Sequence, residues 1–497
     1  MNECMNKKTI YEYINKFVNY SIDNNLINEY DAMYVINNLL RILKINEYPI
    51  EFKREYNNLI IDDILVGFLD YAIENKIIEN FNYQKDLLDT LIMDVVTPFP
   101  STVIDEFFKR YQKNPEDATD YFYKLMISCN YIRLNRIKKN VIFTANSSYG
   151  EMIITINLSK PEKDPKEIAK LKELKIKNFY PKCLLCYENV GFAGNEQLQA
   201  RNNLRVIPIT LNNEQFYFQY SPYVYYDEHC IVFKKEHQDM KIDQNTFKRL
   251  LDFVDQFPHY FIGSNADLPI VGGSILVHEH YQGGKFVFPL DKASVRYQTI
   301  IDNVVVNYLN WPLDCIQLKS DNKDDILSLA NKVHKNWKNY NNSSIFIFNK
   351  INNQIHNTIT PIVRKINGQY IVNLVLRNNF TTDEKPYGLY HPDVDLHHIK
   401  KENIGLIEVM GLAILPQRLK EELKILEEIL YGKREETDLY LIKAHQEWYY
   451  YLKELKKQGD VNINQELSNK FIKVLESCQV FKYGKFEDVI DFINLLK

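Results

Sequence analysis

The 497-residue chain is predicted to fold as an α+β protein. Three observations predict this. Residues 1 to about 140 carry apolar side chains at helical spacing. From about 141 the period changes to two, in short strand-like runs broken by two amphipathic helices. From about 400 the helical period returns. The chain therefore divides into a helical N-terminal region (1–140), a first mixed half (141–295), a second mixed half (296–420) and a helical C-terminal region (421–497). Each mixed half contains a helix and an antiparallel meander.

The elements follow in order. "NEYDAMYVINNLLRIL" places Ala32, Val35, Leu39, Leu40 and Leu43 at helical spacing after acidic residues. "STVIDEFFKRYQ" offers Ser101 as N-cap and an apolar stripe of Val103, Ile104, Phe107 and Phe108. "NPEDATDYFYKLMISC" reads as another capped helix. "NVIFTA" and "GEMIITINLS" alternate as strands, and the polar "KPEKDPKEIAKLKELK" reads as a loop with a short helix. "LRVIPITL", "EQFYFQYSPYVYY" and "HCIVFKK" are strands, followed by the helix "NTFKRLLDFVDQF". The second half has the helix "NKDDILSLANKVHKNW" and the strands "SSIFIFNK", "HNTITPIVRK" and "QYIVNLVLR". Asn367-Gly368 joins the last two as a tight hairpin. "ENIGLIEVMGLAIL", "PQRLKEELKILEEILY" and "FEDVIDFINLLK" complete the chain as helices.

Composition narrows the function. Hydrophobic residues make up 45%, ample for real cores, and the net charge of −4 gives no strong field for nucleic acid or anionic lipid. "MNECMNKKTIYEYINKF" lacks the apolar core of a signal peptide. No apolar run approaches the roughly 20 residues of a membrane span. Seven cysteines, an odd number spread thinly, indicate a reduced, cytoplasmic chain rather than a disulfide framework.

The segment "VGGSILVHEHYQGG" concentrates the chemistry. If it is a strand, His278, His280 and Gln282 share one face and Glu279 and Tyr281 the other. Such a row can ligate metal, form a catalytic pair or face solvent. Gly272, Gly273, Gly283 and Gly284 flank it and permit close backbone approach to a ligand. Upstream, "CLLC" supplies Cys183 and Cys186, either a redox pair, a metal knuckle or a coincidence. With His237 and His278 the two thiolates complete a tetrahedral Cys₂His₂ set for structural zinc. His229 reads as a surface histidine near a strand end.

"H-x-H-x-Q" after a Gly-rich entry resembles the nucleotidyltransferase branch of the histidine-triad superfamily. "CLLCYENVGFAGN", "ARNNLRVIPITL", "FYFQYSPYVYYDEHCIVFKKEHQDM", "FPHYFIGSNADLPIVGGSILVHEHYQGG", "NTITPIVRKINGQYIVNLVLRNN" and "HHIKKENIGLIEVMGLAILPQRL" are similar to the class II galactose-1-phosphate uridylyltransferases, from about residue 90 to 420.

The resemblance implies two histidine-triad-like halves sharing one antiparallel sheet, the second half degenerate. It implies a uridylyl transfer from UDP-glucose to galactose-1-phosphate, with glucose-1-phosphate and UDP-galactose as products. His280 matches the nucleophile that carries the uridylyl group, and Gln282 the donor to a phosphoryl oxygen. His278, Cys183, Cys186 and His237 match a structural zinc site; no organic cofactor is implied. Glu279 departs from the class I motif, which has Pro there. Ser274 and Asn265 match phosphate-contacting positions, Lys163 stands in for a phosphate-binding Arg, and Lys401 and Glu408 match a reach to the hexose. By extension from the class I enzymes the chain is a homodimer, with no nucleic acid or membrane partner. The alternatives are a phosphorylase or hydrolase of the same superfamily acting on another nucleotide, and a non-catalytic zinc protein.

Overall fold

The computed structural model describes residues 2–55, 59–159, 180–195, 198–273 and 275–497, with side chains from Ile10 onward. The polar stretch expected as a loop and short helix, with Lys163, lies outside the described residues, as does Ser274.

The N-terminal region folds into α1 (Asn2–Asp23), α2 (Ala32–Ile42), α3 (Ile61–Glu74), α4 (Asn82–Asp94), α5 (Pro100–Tyr111), α6 (Pro115–Ser128) and the single turn α7 (Leu134–Ile137). Asn114 caps α6 through its side chain on the Glu116 N–H, with Pro115 at the first helical position. Ser101 does not cap α5. Pro100 already occupies the first turn, because its fixed φ suits that position, and Phe99 is the residue before it.

β1 (Val141–Ser147) and β2 (Gly150–Ile156) form a hairpin. Next come β3 (Ile207–Leu211), β4 (Glu214–Tyr220), β5 (Cys230–Lys234), α8 (Gln244–Gln256), β6 (Phe261–Gly263) and β7 (His280–Gly284). The second half repeats the plan: β8 (Val295–Ile301), β9 (Val304–Leu309), β10 (Cys315–Ser320), α9 (Lys323–Asn339), the small pair β11 (Lys350–Ile351) and β12 (Gln354–Ile355), then β13 (Asn357–Ile366) and β14 (Gln369–Asn378). The C-terminal region is α10 (Leu406–Val409), β15 (Leu412–Leu415), α11 (Leu419–Leu430), α12 (Gln446–Lys456), α13 (Ile463–Ser477) and α14 (Phe486–Asn494).

Among the described residues the main sheet has ten strands in the order β3-β4-β5-β7-β6-β13-β14-β10-β9-β8, every pairing antiparallel. The order reads the same from either edge. Three meander strands are followed by a helix and two more strands, the last inserted beside the third. The halves meet at β6 and β13, where Ile262 pairs with Val363. This is the two-half sheet expected from the sequence. The Asn367-Gly368 turn sits between paired Ile366 and Gln369, with φ of +50° and +84°.

Each face of the sheet buries a separate core. One holds Ile262, Val363, Val372 and Tyr281 with α8, α9 and the N-terminal helices. The other holds Phe261, Ile362 and Val375 with β1, β2, β15 and the C-terminal helices α11, α12 and α13, whereas α14 packs into the first core. Strand alternation therefore sends neighbouring residues into different cores.

Two sequence expectations fail here. "SSIFIFNK" is not a strand: Ser343–Ile345 form a 3-10 turn and Phe346 takes φ +63°, with half its surface exposed. Ile345 and Ile347 are buried in the core all the same, but Ile347 makes only a single bridge, to Asn342, in place of a ladder. "ENIGLIEVMGLAIL" is not one helix. Gly411, at φ +93°, ends the single turn α10, and Leu412–Leu415 then pair with β2 in parallel. No helix among the described residues is long and apolar enough to cross a membrane.

Candidate active site and metal centre

β7 lies between β5 and β6, so its backbone is held on both sides: Phe233 pairs with His280, and Ile231 and Gly263 with Gln282. The strand begins only at His280. Ile275–Glu279 are turn and loop, so His278 is not part of a single strand row with His280 and Gln282. The glycines serve the protein's own packing. A Cβ on Gly273 would fall 2.1 Å from the Asn265 amide nitrogen, and one on Gly283 would fall 2.6 Å from the Phe261 carbonyl oxygen.

His280 is buried. Its Nδ1 lies 2.8 Å from the carbonyl oxygen of His278. A carbonyl only accepts, so Nδ1 carries the proton and Nε2 carries the lone pair. Among the described residues nothing hydrogen-bonds to Nε2. Burial lowers the pKa to about 4, with the His278 carbonyl opposing, so the ring is neutral near pH 7. The arrangement is a fixed neutral imidazole with one nucleophilic nitrogen that is free among the described residues.

Gln282 shares the strand face of His280 and is half-buried. Its Oε1 lies 3.1 Å from Nε2 of His229. His229 is buried, not on the surface as its sequence position suggested, and its Nδ1 has no partner. A buried unpaired N–H is rarer than a buried unpaired acceptor, so the proton sits on Nε2 and is donated to Gln282. Burial also brings His229 down to about 4. The ring packs on Tyr226, with centroids 4.5 Å apart. With its oxygen so occupied, Gln282 presents its NH₂ group. His229 was missed in the sequence because it becomes buried only when the Ser221–Glu228 loop folds back over β7. The available signal was its place at the start of "HCIVF", opposite the motif.

Glu279 faces the other way. Its carboxylate pairs with Arg249 of α8 and accepts from Gln238 Nε2 at 2.7 Å and from the Tyr281 hydroxyl at 3.0 Å. Its backbone N–H donates to Gln238 O at 2.7 Å. Glu279 is thus buried, paired and tied to the helix behind the strand.

The four expected metal ligands converge. Cys183, Cys186, His237 and His278 bring their ligand atoms within 4.8 Å of one another. Cys183 Sγ is 3.5 Å from Cys186 Sγ and 3.2 Å from His278 Nδ1; Cys186 Sγ is 3.1 Å from His237 Nδ1. Two thiols and two imidazole nitrogens at such spacings fit a closed tetrahedral zinc set. His278 Nε2 donates to the Lys234 carbonyl at 2.8 Å, which points Nδ1 at the cysteines, and burial lowers its pKa toward the neutral form a metal requires.

Asn265 and Glu408 meet on one segment. Asn265 Oδ1 accepts from the Leu406 N–H at 2.9 Å, and Glu408 Oε2 accepts from the Gly405 N–H at 3.2 Å. The other Glu408 oxygen is held by Lys400 at 3.0 Å, a buried pair. Lys401 is exposed, with its ammonium 5.3 Å from the centre of the Tyr387 ring, and does not join that pair.

The chain matches the profile described as galactose-1-phosphate uridyl transferase, N-terminal domain, over residues 15–239, and that of the C-terminal domain over 252–448. It is 49% identical over 483 residues to a galactose-1-phosphate uridylyltransferase of Clostridium perfringens, covering 95% of this chain and 96% of that one. It is 47% identical over 493 residues to the enzyme of that name from Fusobacterium nucleatum, covering 95% and 96%. Among solved structures, a yeast Ap4A phosphorylase (Apa2) aligns over 67% of this chain and 95% of its own, at 10% identity and a TM-score of 0.34.

Proposed function

The chain belongs to the galactose-1-phosphate uridylyltransferase family, and on that premise we propose that it carries the uridylyl group on His280. The enzyme is a nucleotidyltransferase of galactose metabolism. The single observation that supports this route is the free Nε2 of a buried, neutral His280 beside a Gln282 amide held in place by His229.

In the first half-reaction the Nε2 lone pair attacks the α-phosphorus of UDP-glucose. The bond from that phosphorus to the bridging oxygen breaks, and glucose-1-phosphate leaves with the electron pair. The new N–P bond makes the ring cationic, and the proton on Nδ1 stays shared with the His278 carbonyl, which stabilises that charge. The Gln282 NH₂ donates to a non-bridging phosphoryl oxygen, where charge sits in the transition state. In the second half-reaction a phosphate oxygen of galactose-1-phosphate attacks and the neutral imidazole leaves. The leaving groups are already stable anions, so no strong general acid is needed. A neutral amide at position 282 also cannot activate water as a base.

Zinc on Cys183, Cys186, His237 and His278 would supply folding free energy and no open coordination position. Its effect on the chemistry is indirect, because the backbone of His278 carries the carbonyl that orients His280. Asn265, Ser274, Lys401 and Glu408 are the proposed substrate contacts, the first two on phosphate and the others on hexose. The nucleotide and sugar-phosphate substrates favour the cytoplasm. Steady-state kinetics with both substrates varied test the route: parallel double-reciprocal lines are expected, and intersecting lines rule out a uridylyl-enzyme.

A further inference from the structure

A cavity of about 70 Å³ lies where the N-terminal helices meet the loops leading into β3 and out of β4. A single water needs roughly 10–15 Å³ on the same measure, so the cavity holds several waters or one small oxyanion. Arg133, Arg136, Arg201, Tyr131 and Tyr223 are among its walls.

Among the described residues two of the three arginines there are paired with carboxylates and the third is not. Arg133 makes a two-pronged pair with Asp89, one prong at 2.7 Å, and Arg136 makes a second with Asp86, one prong at 3.1 Å. Arg201 is the remaining cation, and only 7% of it is exposed. It donates to the Tyr131 hydroxyl at 2.7 Å and to Gln199 Oε1 at 3.4 Å, both neutral groups, and its Nε is buried without a partner. Burial raises the Tyr131 pKa, so the phenol supplies no counter-charge. Among the described residues no carboxylate lies within ion-pairing distance of Arg201. A buried guanidinium without a counter-ion carries a large desolvation cost, and its flat fork of N–H donors matches an oxyanion.

We propose that this cavity is an anion site that takes a phosphate-class oxyanion on Arg201. Arg133 and Arg136 face the same space but stay paired to Asp89 and Asp86, with Asp62 also acting on Arg133, so the charge of the anion is met by Arg201. The site also gives the N-terminal helices a task, since α4 and the turn after α6 supply Asp86, Thr90, Asn130 and Tyr131 to its wall. Tyr223 sits in the same loop as His229, so an anion here braces the loop that holds Gln282.

Calorimetric titration of the full-length protein with inorganic phosphate, ionic strength held constant with chloride, tests this. Arg201→Met is expected to bind phosphate at least tenfold more weakly than wild type, Arg201→Lys to be intermediate, and His280→Ala to bind as wild type does, which separates this site from the nucleophile. Repeating the titration with saturating UMP identifies the source: lost phosphate binding marks the site as one for the nucleotide's own phosphate, and retained binding marks a separate anion. Wild-type crystals soaked in selenate are expected to show an anomalous peak against the Arg201 guanidinium, a readout that does not depend on a variant folding. Phosphate affinity of Arg201→Met within twofold of wild type, or no selenate peak at Arg201, overturns the proposal.

Discussion

At the scale of single residues, the account turns on how two side chains are held. His280 is set by one bond to a backbone carbonyl, and Gln282 by one bond to His229. Replacing His229 with Phe keeps the stack on Tyr226 but frees the Gln282 amide to rotate. The expected loss is about 1–3 kcal/mol of transition-state stabilisation, roughly fivefold to 150-fold in kcat. Because His229 acts through Gln282, adding His229→Phe to Gln282→Ala should cost almost nothing more. A double-mutant cycle measures this, and additive losses contradict the positioning role. The convergence of Cys183, Cys186 and His278 was legible in the sequence, since CxxC and H-x-H-x-Q are local patterns. His229 was not, because its burial depends on a loop closing over a strand about 50 residues later.

At the scale of elements, β7 is anchored from both faces. On the helix side, Glu279 joins Arg249 of α8, which also binds Glu214 of β4 at 2.6 Å. Glu279→Ala leaves Arg249 with one carboxylate fewer in a buried setting, and about 3 kcal/mol of destabilisation is expected. Thermal melting checks this; a shift no larger than that of an exposed substitution contradicts it. On the other side, Cys183, Cys186 and His237, the proposed zinc ligands, gather around His278. Cys183→Ser, or a strong chelator, should lower the melting temperature and release bound zinc. Purified protein that holds no zinc and melts unchanged in chelator would refute the metal centre. Element identity was legible wherever period and caps agreed, as in α6 and the Asn367-Gly368 hairpin. It failed for "SSIFIF" and "GLIEVMGLAIL", where a left-handed Phe346 and Gly411 break the run and where pairing with β2, far away in sequence, decides the outcome.

At the scale of the whole molecule, two halves, each of five strands among the described residues, make one sheet with a core on each face. The repeated helix-and-meander pattern made the two halves legible. The mirrored strand order was not, because it rests on pairing between β6 and β13, about 100 residues apart. Burial of histidines on this scale predicts acid sensitivity. Burial is the main cause that lowers His229 and His334 to about 4 and His398 to about 3, from the usual 6.5. Between those values and 6.5 the unfolded chain binds more protons than the folded one. The stability they contribute is therefore complete above pH 6.5 and is lost as pH falls through the window, by up to ~1.4 kcal/mol per pH unit for each group. The melting temperature should fall between pH 6.5 and 4.5, and His334→Phe should flatten the fall. An unchanged melting temperature over that range contradicts it.

The central claim is that His280 carries the uridylyl group. It is tested most directly by incubating the enzyme with uridine-labelled UDP-glucose alone, quenching, and locating the label by mass spectrometry under conditions that preserve phosphoramidates. The account predicts one uridylyl group per chain on His280, discharged by galactose-1-phosphate and absent from His280→Ala. Label on another residue, or full exchange by an enzyme that never becomes labelled, contradicts it.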